Sequence, residues 1–531
     1  MIEKLAYLWP EITLFAGTCL VMLLGLSPNA AIRKTCLLVT LGTLALGGIL
    51  GSNTPSNPDA ILPDLIPFGK GMIASVGIIL VLLMSGVVDR EEEDAIAAGR
   101  TSFNPLRTTR AEFYAFILFS LTGLMLTTTA DSLIWLFLAL ELTSLPTYVM
   151  VTISTRNTRS QEAGIKYFFL GALGAAIFLY GFALLYGGTG TTKLAELHEV
   201  FASGEGVNSI SIAGLVLSII GVSFKIAAVP MHFYTADVYQ GASSSVSAFL
   251  AFVPKTAGFI TLMLLLGAVG WDGGLPEPVR VLLWTVAVLT MTIGNVLALL
   301  QGSVKRILAY SSIAHSGYML VGLIAGPGDG SFTENGLAAV LLYLLAYGIT
   351  NAGTFAVLAS LERRAREGGH EEIDSVEDLF GLCKTHPGLG WTMVLCAGSL
   401  LGLPPLLGFF AKLPLFTSAI SAGEITLVVI LGLNSAIAAF YYLRLMGAAL
   451  LKDPDALAEP VSHVPFPTRS LAGVLAAGGV VSLSVFVGSL MDATGDAATL
   501  GDPGESSSSV EPAEMRPETD LPEAAVTLND R

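Results

Sequence analysis

Three lysines of this 531-residue chain fall inside apolar stretches: Lys225 in "GVSFKIAAVPMH", Lys255 in "FLAFVPKTAGF" and Lys412 in "GLPPLLGFFAKLPLF". A charged side chain at mid-bilayer costs ~2.5–3.5 kcal/mol on insertion scales, so such groups face a protein interior or a hydrated cavity and mark ion routes. Glu141, in "DSLIWLFLALELTSLPTYVM", is read as the only acid deep inside a span. A bare buried carboxylate is as unfavourable as a bare ammonium, so pairing Glu141 with Lys225 lowers both costs. Burial disfavours a charged amine and a neighbouring carboxylate favours it, so a lysine whose partner can move is a proton carrier that can be switched. The chemistry these residues offer is therefore proton transfer.

Polar side chains extend that reading. Tyr343, Tyr347 and Asn351 are four residues apart and share one helix face. Ser312, His315 and Tyr318 follow each other at one-turn spacing, and His232 lies two residues after Pro230. An unperturbed imidazole titrates near pH 6.5 and suits a relay. Each of these residues alone more often just hydrogen-bonds to a neighbouring helix. Pro230, Pro404 and Pro405 mark places where a helix is expected to open, because proline lacks the backbone N–H and clashes with the preceding turn. The four cysteines, Cys19, Cys36, Cys383 and Cys396, are too scattered for a zinc or iron–sulfur pattern. There is no GxxxxGK[ST] loop, and "GGTGTTK" at 187 lacks the strand that a phosphate-binding glycine loop follows. No cofactor or metal site is expected in this chain, so its energy must come from an ion gradient or a partner subunit.

The elements that must hold these residues are membrane helices. The chain is 53% hydrophobic and 13% charged, and apolar runs of about 20 residues, enough to cross a ~30 Å hydrocarbon core, recur along it. Fourteen windows are expected as spans: 5–26, 35–52, 70–88, 111–129, 131–153, 163–187, 209–233, 244–268, 279–301, 306–326, 335–360, 390–420, 423–449 and 469–491. The first lacks a basic leader, with Glu3 beside Lys4, and is read as a retained helix. With the N-terminus outside, inward loops hold 18 Lys and Arg and outward segments 6, which places both termini on the outer side. Much of the net charge of −15 comes from the segment 492–531, rich in Ser, Pro, Glu and Ala and expected to be a disordered acidic tail. Nothing points to nucleic acid.

The chain also repeats itself. Glu162, Gly164 and Gly181 match Glu334, Gly336 and Gly353 at an offset of 172, and Pro230 matches Pro404 at 174. Five windows separate the copies, and an odd separation inverts the second copy in the membrane, as in many secondary transporters. The fold class expected is an all-α polytopic membrane protein of about fourteen transmembrane helices. It is divided into helices 1–3 (1–110), a first five-helix repeat (111–268), an inverted second repeat (279–449) and a last helix (469–491), each repeat containing a broken helix.

"FKIAAVPMHFYTADVYQGASSSVSAFLAFVPKTAGF", "EAGIKYFFLGALGAAIFLYG", "VKRILAYSSIAHSGYML" and "GLPPLLGFFAKLPLF" resemble the antiporter-like membrane subunits of respiratory complex I, most closely the subunit N (subunit 2) family. The Pro254–Lys255 pair carries that likeness, since the related L and M subunits and the Mrp antiporters usually have a histidine-containing segment there. The family's "W-x-P-D-V-Y-x-G-A-P" reads with Tyr234, Ala236 and Ser243 in place of Trp and two prolines. The resemblance implies a proton-translocating subunit of an NADH:quinone oxidoreductase in a bacterial inner membrane. Glu141 and Lys225 would be its switchable pair, Lys255 the central relay and Lys412 the exit lysine. NADH, FMN, iron–sulfur clusters and quinone would belong to other subunits, with membrane-arm subunits as partners. The alternative is an Mrp-type Na⁺ or K⁺/H⁺ antiporter subunit.

Overall fold

The computed structural model describes residues 2–104, 108–155, 157–204, 207–271, 275–328, 331–364, 370–453, 461–464 and 466–501. An N-terminal group holds α1 (Ile2–Gly25), α2 (Ala30–Ser52), α3 (Leu65–Leu83) and the short α4 (Arg90–Ala97). Next come α5 (Arg110–Thr128), α6 (Leu133–Ile153), α7 (Thr158–Thr189), the short α8 (Leu194–Ala202), α9 (Ser209–Ser223), α10 (Thr235–Gly241) and α11 (Ser244–Val269). The remaining helices are α12 (Glu277–Leu299), α13 (Val304–Ala325), α14 (Gly336–Ala359), α15 (Leu382–Thr385), α16 (Pro387–Leu401), α17 (Leu407–Ser421), α18 (Ile425–Leu450), α19 (Pro467–Val485) and α20 (Val487–Ala497). Twelve helices among the described residues are long and apolar enough to cross a membrane.

Their starts are written in the local sequence. Ser132, Asn157, Asn208, Ser243, Ser303 and Asn335 each precede a helix and accept a hydrogen bond from a first-turn backbone N–H. These caps satisfy donors that lipid cannot. Small residues then let helices approach: a Cβ on Gly181 of α7 would stand 2.5 Å from Ser218 N of α9, and one on Gly221 of α9 2.5 Å from Phe178 N of α7. With no hydrophobic drive between helices in lipid, such close backbone packing holds them together.

The windows 209–233 and 390–420 are not continuous helices. The first stops at Ser223 and resumes at Thr235; the second is α16 and α17 with residues 402–406 between them. Pro230 lies in the first gap, Pro404 and Pro405 in the second. Two other expectations are corrected. The third span begins at Leu65 instead of 70, so Lys70, at the outer edge of its expected window, lies more than a turn inside α3, where it finds a partner. Helix continues through α20 to Ala497, with Thr494 and Ala497 buried, so the segment from 492 is not all tail; residues 502–531 lie outside the described residues. A small sheet joins the helices: β1 (Leu361–Arg364) pairs antiparallel with β2 (His370–Glu372) and β3 (Ser462–His463).

The core is α11, α13 and α14. The apolar windows of α11 and α14 are buried throughout, whereas those of α1, α2, α7, α18 and α19 are mostly uncovered. At one end of the bundle, ion pairs tie helix ends and loops together: Arg33–Glu93 at 2.9 Å, Arg90–Glu362 at 2.9 Å, Asp237 with both Lys166 and Arg306 at 2.9 Å, and Lys305–Glu372 at 2.9 Å. Glu372 also accepts from Ser244 N at 2.8 Å. Burial on its own would raise the Glu372 carboxyl; Lys305, Arg469 and the Ser244 hydrogen bond outweigh it and hold the carboxyl below the ordinary glutamate range.

Candidate functional site

α9 runs into its break at Phe224, and Lys225 is the first residue beyond the helix cap. Its Nζ is 2.9 Å from Glu141 Oε1 and donates to Ser144 Oγ at 2.7 Å; both partners stand one turn apart on α6. The ammonium end is buried, 1% exposed, while Glu141 is 17% exposed, so the pair lies at the edge of the core. The break's own backbone is satisfied by neighbouring helices, as a non-helical segment at membrane depth requires. Thr290 of α12 accepts from Val229 N at 2.9 Å, Tyr234 donates to Phe224 O at 2.7 Å, and Ser316 of α13 donates to Ile226 O.

Ser316 also receives the next lysine. Lys255, one residue after Pro254 inside α11, donates to Ser316 Oγ at 2.7 Å and to Ser312 O. Its Nζ sits 5.0 Å from the centre of the Tyr347 ring, within cation–π range. No carboxylate lies within ion-pair distance of Lys255 or Lys412 among the described residues. Ser316 thus links the Lys255 ammonium to the backbone of the gap at Ile226, the residue after Lys225, while the Lys225 ammonium itself turns to Glu141 and Ser144.

Beyond Lys255 the path is aromatic. The Tyr347 and His315 rings are 5.2 Å apart, and Asn351 donates to Tyr347 OH at 2.6 Å. His315 uses both ring nitrogens: Nδ1 with Tyr343 OH at 2.7 Å and Nε2 with Tyr442 OH at 2.8 Å. Tyr442 also bonds Ser311 Oγ. A cavity of about 10 Å³ opens beside His315, Tyr343, Tyr347, Thr350 and Ser399, room for about one water among enough polar partners to hold it. The Tyr318 ring is 5.3 Å from His315 and 5.2 Å from Lys412 Nζ. Lys412, on α17, reaches back across the second break and donates to Leu401 O at 3.0 Å, one of the carbonyls that the end of α16 leaves without a helical partner.

The structure therefore brings Glu141, Lys225, Lys255, His315, Tyr343, Tyr347, Asn351, Tyr318 and Lys412 into one chain of contacts. It leaves His232 apart: the imidazole is buried in the first gap, 4.7 Å from the Phe233 ring, with Nδ1 unpartnered. The two broken helices use their lysines differently, Lys225 on a carboxylate at the start of its gap and Lys412 on a carbonyl spanning its gap.

Several residues escaped the sequence reading. Ser144 could have been found, since it stands three residues from Glu141. Tyr442, Asn295, Asn434 and Tyr441 are isolated polar residues on α12 and α18; Asn295 donates to Tyr318 OH at 2.8 Å and to Asn434 Oδ1 at 3.1 Å, and accepts from Tyr441 OH at 2.9 Å. Most conspicuous is Lys70, fully buried in α3 and 2.8 Å from Glu11 of α1. Glu141 is thus not the sole acid inside a span.

Residues 130–438 match the family model described as NADH:quinone oxidoreductase/Mrp antiporter, transmembrane. The chain is 34% identical to NADH-quinone oxidoreductase subunit N of Nitrosomonas europaea over 86% of its own length and 90% of the relative's. Among solved structures it is similar to a chain of respiratory complex I from Thermus thermophilus, at 30% identity and a TM-score of 0.72, covering 92% of this chain and 99% of that one. A chain of the Mrp complex from Dietzia sp. shares the fold, at 21% identity and a TM-score of 0.73, covering 94% and 97%.

Proposed function

The chain belongs to the NADH:quinone oxidoreductase/Mrp antiporter family, in its subunit N branch; on that premise we propose a proton-translocating role in the membrane arm of an NADH:quinone oxidoreductase. One observation carries the reading most directly. Lys225 is shared between Glu141 and Ser144 beside a helix break, and one hydroxyl, Ser316, links that break to Lys255. A shift of Glu141 away from Lys225 leaves a buried ammonium without its counter-charge, and the proton then moves down the polar contacts towards Lys412. The event that moves Glu141 would be quinone reduction elsewhere in the complex, relayed along the membrane arm.

In this reading the subunit carries no redox group; NADH, FMN, iron–sulfur clusters and quinone are held by its partners. The two halves, 111–268 and 279–449, act as inverted repeats with a broken helix apiece. The chain sits in a bacterial inner membrane with both ends outside. The relatives named subunit N favour this over Na⁺ or K⁺ exchange of the Mrp type.

The test is the intact complex in sealed vesicles, wild type against Lys255→Ala, with proton pumping and quinone reduction followed together. Loss of both, or of pumping alone, is expected. An assembled complex that pumps at the wild-type rate overturns the role of Lys255, and pumping that demands Na⁺ points to the antiporter reading.

A further inference from the structure

The geometry points to a groove between α3, α14 and α20 as a binding site for one membrane phospholipid whose headgroup carries a primary ammonium. The groove holds about 650 Å³, within the ~300–1,000 Å³ range of ligand sites, and lies outside the Lys225–Lys412 axis.

Its lining is ordered as an amphiphile would require. Asp64 stands at the N-cap position of α3, Asp496 in the last turn of α20 and Thr499 just after it, so the charged groups gather at one end; Ser52 and Ser75 also line the groove, and Ser75 turns its hydroxyl to Gly71 O of its own helix. Phe68 and Met72 of α3 and Leu345 of α14 form the apolar wall beyond them. From Asp64 to Ser75, the farthest lining residue of α3, the helix rises about 16 Å at ~1.5 Å per residue, half of a ~30 Å hydrocarbon core. That length suits an acyl chain lying along α3.

Charge selects the headgroup. Asp64 and Asp496 are the ionisable side chains of the lining, and both are carboxylates. Asp64 accepts from Ser56 Oγ, and among the described residues no cation pairs with either carboxylate; such a pair attracts an ammonium and repels a purely anionic headgroup. The same sign disfavours the chain's own segment 502–531, which has eight carboxylates against two arginines. A helix of a neighbouring subunit, about 10 Å across with its side chains, is a poorer fit to this volume. The site has a consequence for the relay helix: Leu345 lies two residues from both Tyr343 and Tyr347 of α14, on the opposite side of that helix. A lipid seated on Leu345 braces the face that carries the tyrosines.

The experiment uses the intact complex in vesicles containing photoactivatable phosphatidylethanolamine or, separately, photoactivatable phosphatidylglycerol with identical chains, and maps the labelled peptides. Phosphatidylethanolamine is expected to label residues 65–75 and the α14 peptide holding Leu345. Phosphatidylglycerol should label them no more than it labels α18. Asp64→Asn and Asp496→Asn should each lower the phosphatidylethanolamine label by up to about fivefold. Equal labelling by the two lipids, label unchanged in the double variant, or a cross-link that captures only a neighbouring subunit at these residues would overturn the assignment. The readout is binding, so its failure leaves the proton-transfer reading untouched.

Discussion

Two lysine–glutamate pairs lie within the membrane-spanning part of the described residues, and they differ in what surrounds them. Glu11 and Lys70 sit on continuous helices, α1 and α3, at 2.8 Å, with Lys70 held also by Tyr7 O and both side chains nearly inaccessible. Lys70 thus has a second acceptor, but among the described residues no helix gap adjoins the pair to lead a proton onward. Glu141 and Lys225 have the same chemistry at 2.9 Å, but Lys225 begins a helix gap, Ser144 is a second acceptor, Ser316 lies on the gap's backbone and Glu141 keeps some exposure. A buried pair alone is weak support for function, since breaking one mainly exposes the cost of an unpaired charge. A pair becomes a switch when the fold supplies an alternative partner and a way onward. By that criterion Glu11–Lys70 fastens the N-terminal helices, and Glu141–Lys225 is the pair that suits the proposed proton transfer.

The comparison can be broken at several points. The largest effect is expected from Lys70→Ala, which strands Glu11 and costs about 3–5 kcal/mol. The fully buried thiol of Cys36 on α2 reports it: its labelling rate in the intact complex should rise by about 10²-fold or more at 1.4 kcal/mol per tenfold. Adding Glu11→Gln and exchanging Lys70 for Met should recover most of that loss; no recovery would mean that Lys70 does more than answer Glu11. Next comes Lys225→Ala, expected to cut pumping by about 10²-fold, the lower end of what a positioned proton-transfer group contributes, without faster Cys36 labelling. Ser144→Ala removes one hydrogen bond to a charged group and should slow pumping by about tenfold; a wild-type rate would show that Lys225 needs no second acceptor.

The smallest effect concerns the sheet at the charged end. Glu372 is held below the ordinary glutamate range, so its contribution is present above the unfolded value of about 4.3 and is lost only as pH falls through the lower folded value. Hydrogen-exchange protection of β1 and β2, corrected for intrinsic rate, should therefore stay level from neutral pH down to about 5. Glu372→Gln should lower it by a constant amount over that window. A decline already visible between neutrality and that point would contradict the sign.

Much of this was legible in the sequence, for physical reasons that also mark the limit. Hydropathy found the spans because lipid demands apolar helices; Pro230 and Pro404–Pro405 pointed to both gaps, although Pro10, Pro146, Pro254 and Pro414 lie inside continuous helices, so a proline alone does not open one. Glu141 was matched to Lys225 because a deep charge must be answered by another. Hydropathy could not show that α11 and α14 lie at the centre, since lipid-facing and protein-facing sides are equally apolar. Lys70 was misplaced because it sits one turn inside its helix, where a hydropathy window reads a boundary, and Glu11 was passed over with it. Asn295, Asn434 and Tyr442 reach the path from α12 and α18, and single polar residues carry no spacing signal. Strands of two to four residues, such as β1 to β3, are too short for any period to appear.

The most direct measurement is the number of protons pumped per quinone reduced by the intact complex in sealed vesicles, compared among wild type, Lys225→Ala and Lys70→Ala. Pumping should collapse in Lys225→Ala, with that ratio unchanged in Lys70→Ala despite a less stable N-terminal group. An assembled Lys225→Ala complex that pumps and reduces quinone as wild type does, or a Lys70→Ala complex that loses the ratio instead, would contradict that expectation.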